Sequence, residues 1–325
     1  MKKLSILLLF SLLIVQVSFS QAVEFKFNNN GEFKILQLTD THIAVGKNNQ
    51  QHVMDLLITL VKEETPDLVV FTGDVITDSD NPKPCYEIFE AFFKARQIPW
   101  AVTLGNHDAE NEMPRNDVAS ILDGLDYCIN QSVDNLKGAN FLYEVKSSTA
   151  ANTKAILYFL DSQDYSTIKP RVDGYGWFST DQVVWYKEQS QKFIEENKDT
   201  IPALAFFHIP LPEYTDAWNN GKVFGYKKEP ECCPKINSGM FAAMVEQGDV
   251  MGTFVGHDHV NDYVASYYNI ALTYGRASGA ENSYGDLMQG GRVIVLKEGK
   301  RTFDTWIREK DGAVTQTCNF PDSFK

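Results

Sequence analysis

The chain has little positive charge and few of the residues that a nucleic-acid binder or a membrane protein needs. Its 30 Lys and Arg face 43 Asp and Glu, for a net charge of −13. No basic run occurs anywhere. Nucleic-acid affinity depends on neutralising phosphates with Lys and Arg, so no nucleic-acid partner is expected. Only the first twenty residues are strongly apolar over a stretch, and a bilayer span needs about 20 such residues. The five cysteines (Cys85, Cys128, Cys232, Cys233 and Cys318) lack zinc-ribbon spacing, and two of them are adjacent. There is no internal repeat and no low-complexity segment. Histidine is also scarce, with six in 325 residues, which makes their positions informative.

The start of the chain has the layout of a secretory signal peptide. Lys2 and Lys3 precede an apolar run from Leu4 to Val17, and small residues Ser18 and Ser20 flank Phe19 before Gln21. Residues 1–20 are therefore expected to be removed, leaving a periplasmic or secreted chain with no membrane span. Removal takes away two lysines and no acid, so the charge moves from −13 to −15. One or two disulfides fit an exported protein, with no connectivity implied.

Residues 21–325 read as one α/β domain. Short apolar runs at 33–38, 67–72, 99–104, 155–160, 202–207 and 250–255 predict strands. Helical patterns fall at about 50–64, 85–96, 180–196 and 238–247. Ser179 or Thr180 is the expected cap of the third helix, and Asn237 or Ser238 that of the fourth. The last third predicts antiparallel strands at 262–268, 270–274, 291–297 and 302–307. Strand–helix alternation followed by strands predicts a layered sandwich.

Five of the predicted strands run directly into polar clusters. FKILQL is followed by Thr39-Asp40-Thr41-His42, DLVVFT by Gly73-Asp74, and PWAVTL by Gly105-Asn106-His107-Asp108. PALAFF leads to His208, and VMGTFV to Gly256-His257-Asp258-His259. Five of the six histidines lie in these loops, His52 being the exception. In layered α/β proteins ligands bind at strand C-terminal ends. Asp, Asn and His are oxygen and nitrogen donors for Zn, Fe or Mn. Asp40, His42, Asp74, Asn106, His208, His257 and His259 are too many for one tetrahedral ion. They suit two ions sharing a carboxylate, roughly 3.5–4 Å apart. Asp40 and His42 are expected on an extended segment with both side chains on one side. Gly73, Gly105 and Gly256 let the chain bend as it leaves each strand.

The ordered set DxH, GD, GNHD, His after a strand, and GHxH resembles the calcineurin-like metallophosphoesterase superfamily, across residues 40 to 259. FFHIPLPEY, NSGMF and GHDHVNDY resemble its small purple-acid-phosphatase-like branch. The resemblance implies an α/β/β/α sandwich of two mixed sheets flanked by helices. It implies two divalent or trivalent metal ions, Fe, Zn, Mn or Mg. Asp40, His42 and His259 would hold the first, Asn106, His208 and His257 the second, and Asp74 would bridge them. His107 would stay off the metals and serve as general acid or transition-state stabiliser, oriented by Asp108. The implied activity is metal-dependent hydrolysis of a small phosphoester by activated water, a monoester first. Alternatives are a phosphodiesterase of nucleotides, cyclic nucleotides or lipid head groups, and a non-catalytic binding protein of the same fold. Purple enzymes carry a tyrosine ligand beside the second motif's aspartate. Here Asp74 is followed by Val75-Ile76-Thr77.

Weaker signals remain. Arg276, in a glycine-rich stretch, is a candidate to cover the substrate phosphate. The aromatics at 175–178 are expected in packing. Asp161 and Ser162 are expected as an ordinary loop entry, Glu213 as locally bonded, and His52 at the surface.

Overall fold

The structure is a computed structural model that describes residues 23–325 apart from 45, 47–48, 78–79, 111–112 and 280–284. The expected signal peptide at 1–20 lies outside the described residues. The chain begins with β1 (Phe25–Lys26), β2 (Glu32–Leu38), α1 (Asn49–Glu64), β3 (Leu68–Thr72), α2 (Lys83–Lys94) and β4 (Trp100–Thr103). There follow α3 (Arg115–Asp123), β5 (Phe141–Lys146), β6 (Thr153–Phe159), α4 (Thr180–Asn197), β7 (Ala203–Phe206), α5 (Glu213–Asn220) and β8 (Val223–Phe224). The last part contains α6 (Met240–Gln247), β9 (Val250–Val255), β10 (Val264–Tyr267), β11 (Ile270–Tyr274), β12 (Gly290–Lys297), β13 (Phe303–Glu309) and β14 (Val314–Phe320).

Two mixed sheets pack face to face between helices, as the resemblance implies. One has the order β14-β13-β12-β2-β3-β4, and the other β1-β5-β6-β7-β9-β11-β10-β8. β2, β3 and β4 run parallel, as do β6, β7, β9 and β11. Period-2 alternation builds the layers. Leu157, Phe159, Leu204 and Phe206 point to the core shared by the two sheets, together with the buried faces of α1, α2 and α3. Their neighbours Ile156, Tyr158, Ala203 and Ala205 face a second core under α4, α5 and α6. Gln37 ties the sheets together: its Nε2 donates to Thr72 Oγ1 at 2.8 Å and to the carbonyl of Val255 at 3.0 Å. Strands from both sheets thus end at a common edge.

Local signals place several boundaries. Ser179 caps α4 by a capping box, accepting from Gln182 N while Gln182 accepts from Ser179 N. α6 starts two residues later than expected. Gly239, at φ 78°, is its N-cap, and Ser238 Oγ accepts from Met240 N at 3.2 Å. The sequence reading missed α3, α5, β5 and β14, whose short patterns are half-exposed. No disulfide joins the five cysteines, so the expected bridges are not formed. Among the described residues no helix is long and apolar enough to cross a membrane.

Candidate metal centre

β2, β3 and β4 of one sheet, and β7 and β9 of the other, end where the polar clusters begin. Asp40, His42, Asp74 and His259 form one group whose donor atoms lie within 4.8 Å of one another; Asp74, His208 and His257 form a second. Asp74 belongs to both. Its Oδ2 stands 3.1 Å from His208 Nε2 and 3.8 Å from His42 Nε2. His259 Nε2 lies 3.4 Å from Asp40 Oδ1. Two pairs of imidazole nitrogens face each other, His42 with His259 at 3.2 Å and His257 with His208 at 3.3 Å.

The chain bends into this site differently from the extended segment expected of Asp40 and His42. Both residues have positive φ, 54° and 44°, as do Asp74 at 48° and His257 at 79°. Each left-handed non-glycine costs about 1–3 kcal/mol, and such residues gather at functional sites where packing enforces them. The side chains therefore converge through tight turns rather than strand alternation. Gly105 serves close approach: a Cβ there would overlap the Asp74 carboxylate and its backbone nitrogen. Gly73 has positive φ, and a Cβ would strike the His208 ring.

The donor set fits hard and borderline cations. His208 Nδ1 donates to the carbonyl of Thr72 at 2.7 Å, because a carbonyl can only accept, and this leaves Nε2 as a lone-pair donor. Asn106 Oδ1 is buried without a hydrogen-bond partner. An unpartnered buried acceptor is costly, and a metal ion relieves it. Burial works against charge on His208, yet Asp74 beside it pushes that imidazole up to about 9, so a cation taken at Nε2 would displace a proton. Burial works against charge on Asp74, yet His208, His42 and His107 around it hold its carboxyl well below the usual range. Burial, with His208 beside it, pushes His257 down to about 3, keeping that imidazole neutral. A third group, Cys232, His257 and Asp258, shares His257, but Asp258 already accepts from Tyr274 and from Cys232 N.

His107 sits at the open side of the cluster, with Nε2 4.0 Å from Asp74 Oδ2 and a side chain 34% exposed. Asp108 does not orient it. Asp108 is buried and accepts from Val75 N, Ile76 N, Tyr86 Oη and Gly105 N, pinning the loop after β3 to the loop after β4. Burial, with Asp74 nearby, pushes it up to about 6. The partner of His107 is Glu110, whose Oε1 lies 2.5 Å from Nδ1. The turn after β4 carries position 108 inward and returns position 110 beside the ring. Burial lowers His107, but Asp74 and then Glu110 outweigh it, so the imidazole titrates above its ordinary value. Glu110→Gln removes one of these charges and is expected to lower that pKa. If protonated His107 is the working form, the alkaline limb of the rate profile moves to lower pH and kcat falls by about tenfold, part of the ~10²–10⁴-fold that a placed acid supplies. A pH–rate profile with an unmoved limb would count against the pairing.

Arg276 does not reach the site. Its guanidinium is buried, bonded through Nε and Nη2 to Asp262 and through Nη1 to the carbonyl of Met288 at 2.7 Å and to Glu309 at 3.0 Å. After β11 the chain turns that side chain into the protein, where its charge is already neutralised. Asp161 is more than a loop entry. It receives Arg115 Nε and Nη2, and the same guanidinium donates to the carbonyls of Leu104 and Gly105 just before Asn106. Arg115→Met strands Asp161 in the interior and is expected to cost about 3–5 kcal/mol, read as the shift in denaturant midpoint. A loss under 1 kcal/mol would refute a bracing role. Tyr175 also departs from the packing expected of it. Its ring stands edge-on to His257 at 4.4 Å and stacks on Tyr165 at 5.7 Å. Glu213 accepts from Asn237, 24 positions along the chain, rather than from a local partner, and His52 is exposed, as expected.

Comparison with known proteins gives the wider setting. The model of the calcineurin-like phosphoesterase family matches residues 33–261. A protein from Arabidopsis thaliana named probable inactive purple acid phosphatase 29 is 34% identical over 88% of this chain and 82% of its own length. Phosphatase DCR2 from Saccharomyces cerevisiae is 32% identical over 72% of this chain and 45% of its own. A solved dimetal phosphatase from Danio rerio superposes with a TM-score of 0.59 at 13% identity, covering 88% of this chain and 98% of that one.

Proposed function

The chain belongs to the calcineurin-like phosphoesterase family, and from that premise we propose that it is an exported, two-metal-dependent phosphoesterase acting first on phosphomonoesters. The observation that carries this is the pair of donor groups sharing Asp74, with His107 beside them and off both. Asp40, His42, Asp74 and His259 would hold one ion, and Asp74, Asn106, His208 and His257 the other. Bound there, two cations supply Lewis acidity: they make water nucleophilic near neutral pH and neutralise charge on the phosphoryl oxygens. The chain's own part is positioning. The Thr72 carbonyl fixes the His208 tautomer. The backbone N–H of His107 donates to Asp74 Oδ1 at 2.8 Å, fixing the loop to the cluster. His107, held by Glu110, carries a proton for the departing ester oxygen.

The word inactive in a relative's name gives weight to a second reading, a non-catalytic binding protein. The Asp, Asn and His donor positions are all filled here, and of the purple enzymes' ligands only the tyrosine is missing, which favours catalysis. Metal analysis with parallel monoester and diester assays, before and after chelation, tests both. Metal content near two with chelator-sensitive monoester hydrolysis is the expected result. Bound metal without any hydrolysis supports the binding protein, and faster diester cleavage reverses the substrate order. Export rests on residues 1–20, and an N-terminus at Gln21 in the exported protein tests it.

A further inference from the structure

Two donors of one metal position need outside contacts to point the right way. The last torsion of an Asn or His side chain is broad, so neither Asn106 nor His257 orients itself. His208 has the Thr72 carbonyl on its Nδ1. His257 turns Nδ1 to His208, and its other ring nitrogen, Nε2, has no hydrogen-bond partner. What stands against both donors is a pair of tyrosines. Asn106 Nδ2 donates to Tyr165 Oη at 3.5 Å, and the Tyr175 ring lies perpendicular to the His257 ring at 4.4 Å.

The pair is held in that geometry. Residues 165 and 175 form an antiparallel bridge, with Gly176 N donating to the carbonyl of Asp164 and Ser166 N to that of Gly174. The two rings stack at 5.7 Å. Arg115 sets the distance from this bridge to Asn106. On one side its guanidinium donates to the carbonyls of Leu104 and Gly105. On the other it pairs with Asp161 at 2.7 Å and with Asp164 at 3.7 Å. Asp161 also accepts from Gln163 N at 2.8 Å, two residues before Tyr165. The loop that carries Asn106 and the loop that carries Tyr165 thus share one buried anchor.

We propose that Tyr165 and Tyr175 are positioning residues for the ion that Asp74, Asn106, His208 and His257 would hold. A cation beside Asn106 requires the carbonyl oxygen of the amide, which puts Nδ2 on the opposite side, and the Tyr165 hydroxyl is the acceptor that keeps it there. The Tyr175 ring stops the His257 imidazole from turning. The proposal rests on the two-metal reading above and adds what holds the donors of one position in place.

Titration of the metal-free protein with Zn²⁺ against a chromophoric chelator tests this, with no turnover involved. The native protein is expected to take two ions. Removing a group that orients a metal ligand costs about 10–100-fold in affinity. Tyr165→Phe keeps the ring stack and removes the acceptor, so it is expected to weaken one ion by about that factor and leave the other unchanged. Tyr175→Leu is expected to weaken the same ion, so the double variant still retains the other, while Tyr175→Phe weakens neither. In Asn106→Asp, whose two carboxylate oxygens are equivalent donors, Tyr165→Phe is expected to cost little. Equal affinities in Tyr165→Phe and the native protein overturn the proposal. So does a loss shared by both ions, or one matched by a fall in the denaturant midpoint of the metal-free protein, since packing alone produces those. A native protein that takes fewer than two ions instead removes the two-metal reading, and the proposal with it.

Discussion

Asp74→Ala is expected to lose metal from both positions and to cut phosphoester hydrolysis by more than about 10²–10³-fold, the loss seen when one electrostatic stabiliser is removed. Asp74 is the residue common to both donor groups, with its Oδ2 facing His208 and His42 and its Oδ1 accepting from the loop of His107. Alanine leaves those imidazoles without their shared anion, which destabilises both cations at once. Asp74→Asn keeps the volume and removes the charge, so it separates electrostatics from packing and is expected to fail similarly. Elemental analysis of the purified variants decides the matter: two ions retained in either would show that Asp74 does not bridge.

His107→Ala is expected to give the opposite pattern, a full metal complement with kcat lower by about 10²–10⁴-fold. Alanine keeps the backbone N–H that binds Asp74 Oδ1, so the loop stays in place. What disappears is an imidazole held by Glu110 at the open side of the cluster. The defect is expected to be largest for esters with poor leaving groups, which depend most on a proton, and to shrink for good ones. A metal-depleted His107→Ala protein, or a defect independent of the leaving group, would remove the acid role. Together the two variants separate holding the metals from moving the proton.

Much of the candidate site is legible because its residues sit at strand ends. A parallel strand fixes where its C-terminal residue emerges, and short apolar runs such as DLVVFT and VMGTFV mark strands in the sequence. Asp40, His42, Asp74, Asn106, His208, His257 and His259 follow such runs within a few residues, so their convergence could be expected before any coordinates. Turn geometry could not. Asp108 follows His107 directly, but the loop sends its carboxylate into the interior and brings Glu110 to the imidazole. Spacing along a turn does not reveal side-chain direction when the backbone takes left-handed conformations.

Residues contributed across long separations were the least legible. Arg276 has the chemistry to bind a phosphate, but Asp262 and Glu309 take up its guanidinium. Tyr175 touches His257 from 82 positions away in the chain, and Arg115 meets Asp161 across 46. The amino-acid sequence alone determined the layered fold, the family and the donor types at the strand ends, since each follows from local periodicity and adjacent letters. The tertiary structure decided which acid holds His107, which arginine is already neutralised and which aromatics line the site. The first follows from how the turn after β4 directs neighbouring acids, while the others depend on which distant side chains share a buried volume, and burial is a property of the packed whole rather than of any stretch of sequence.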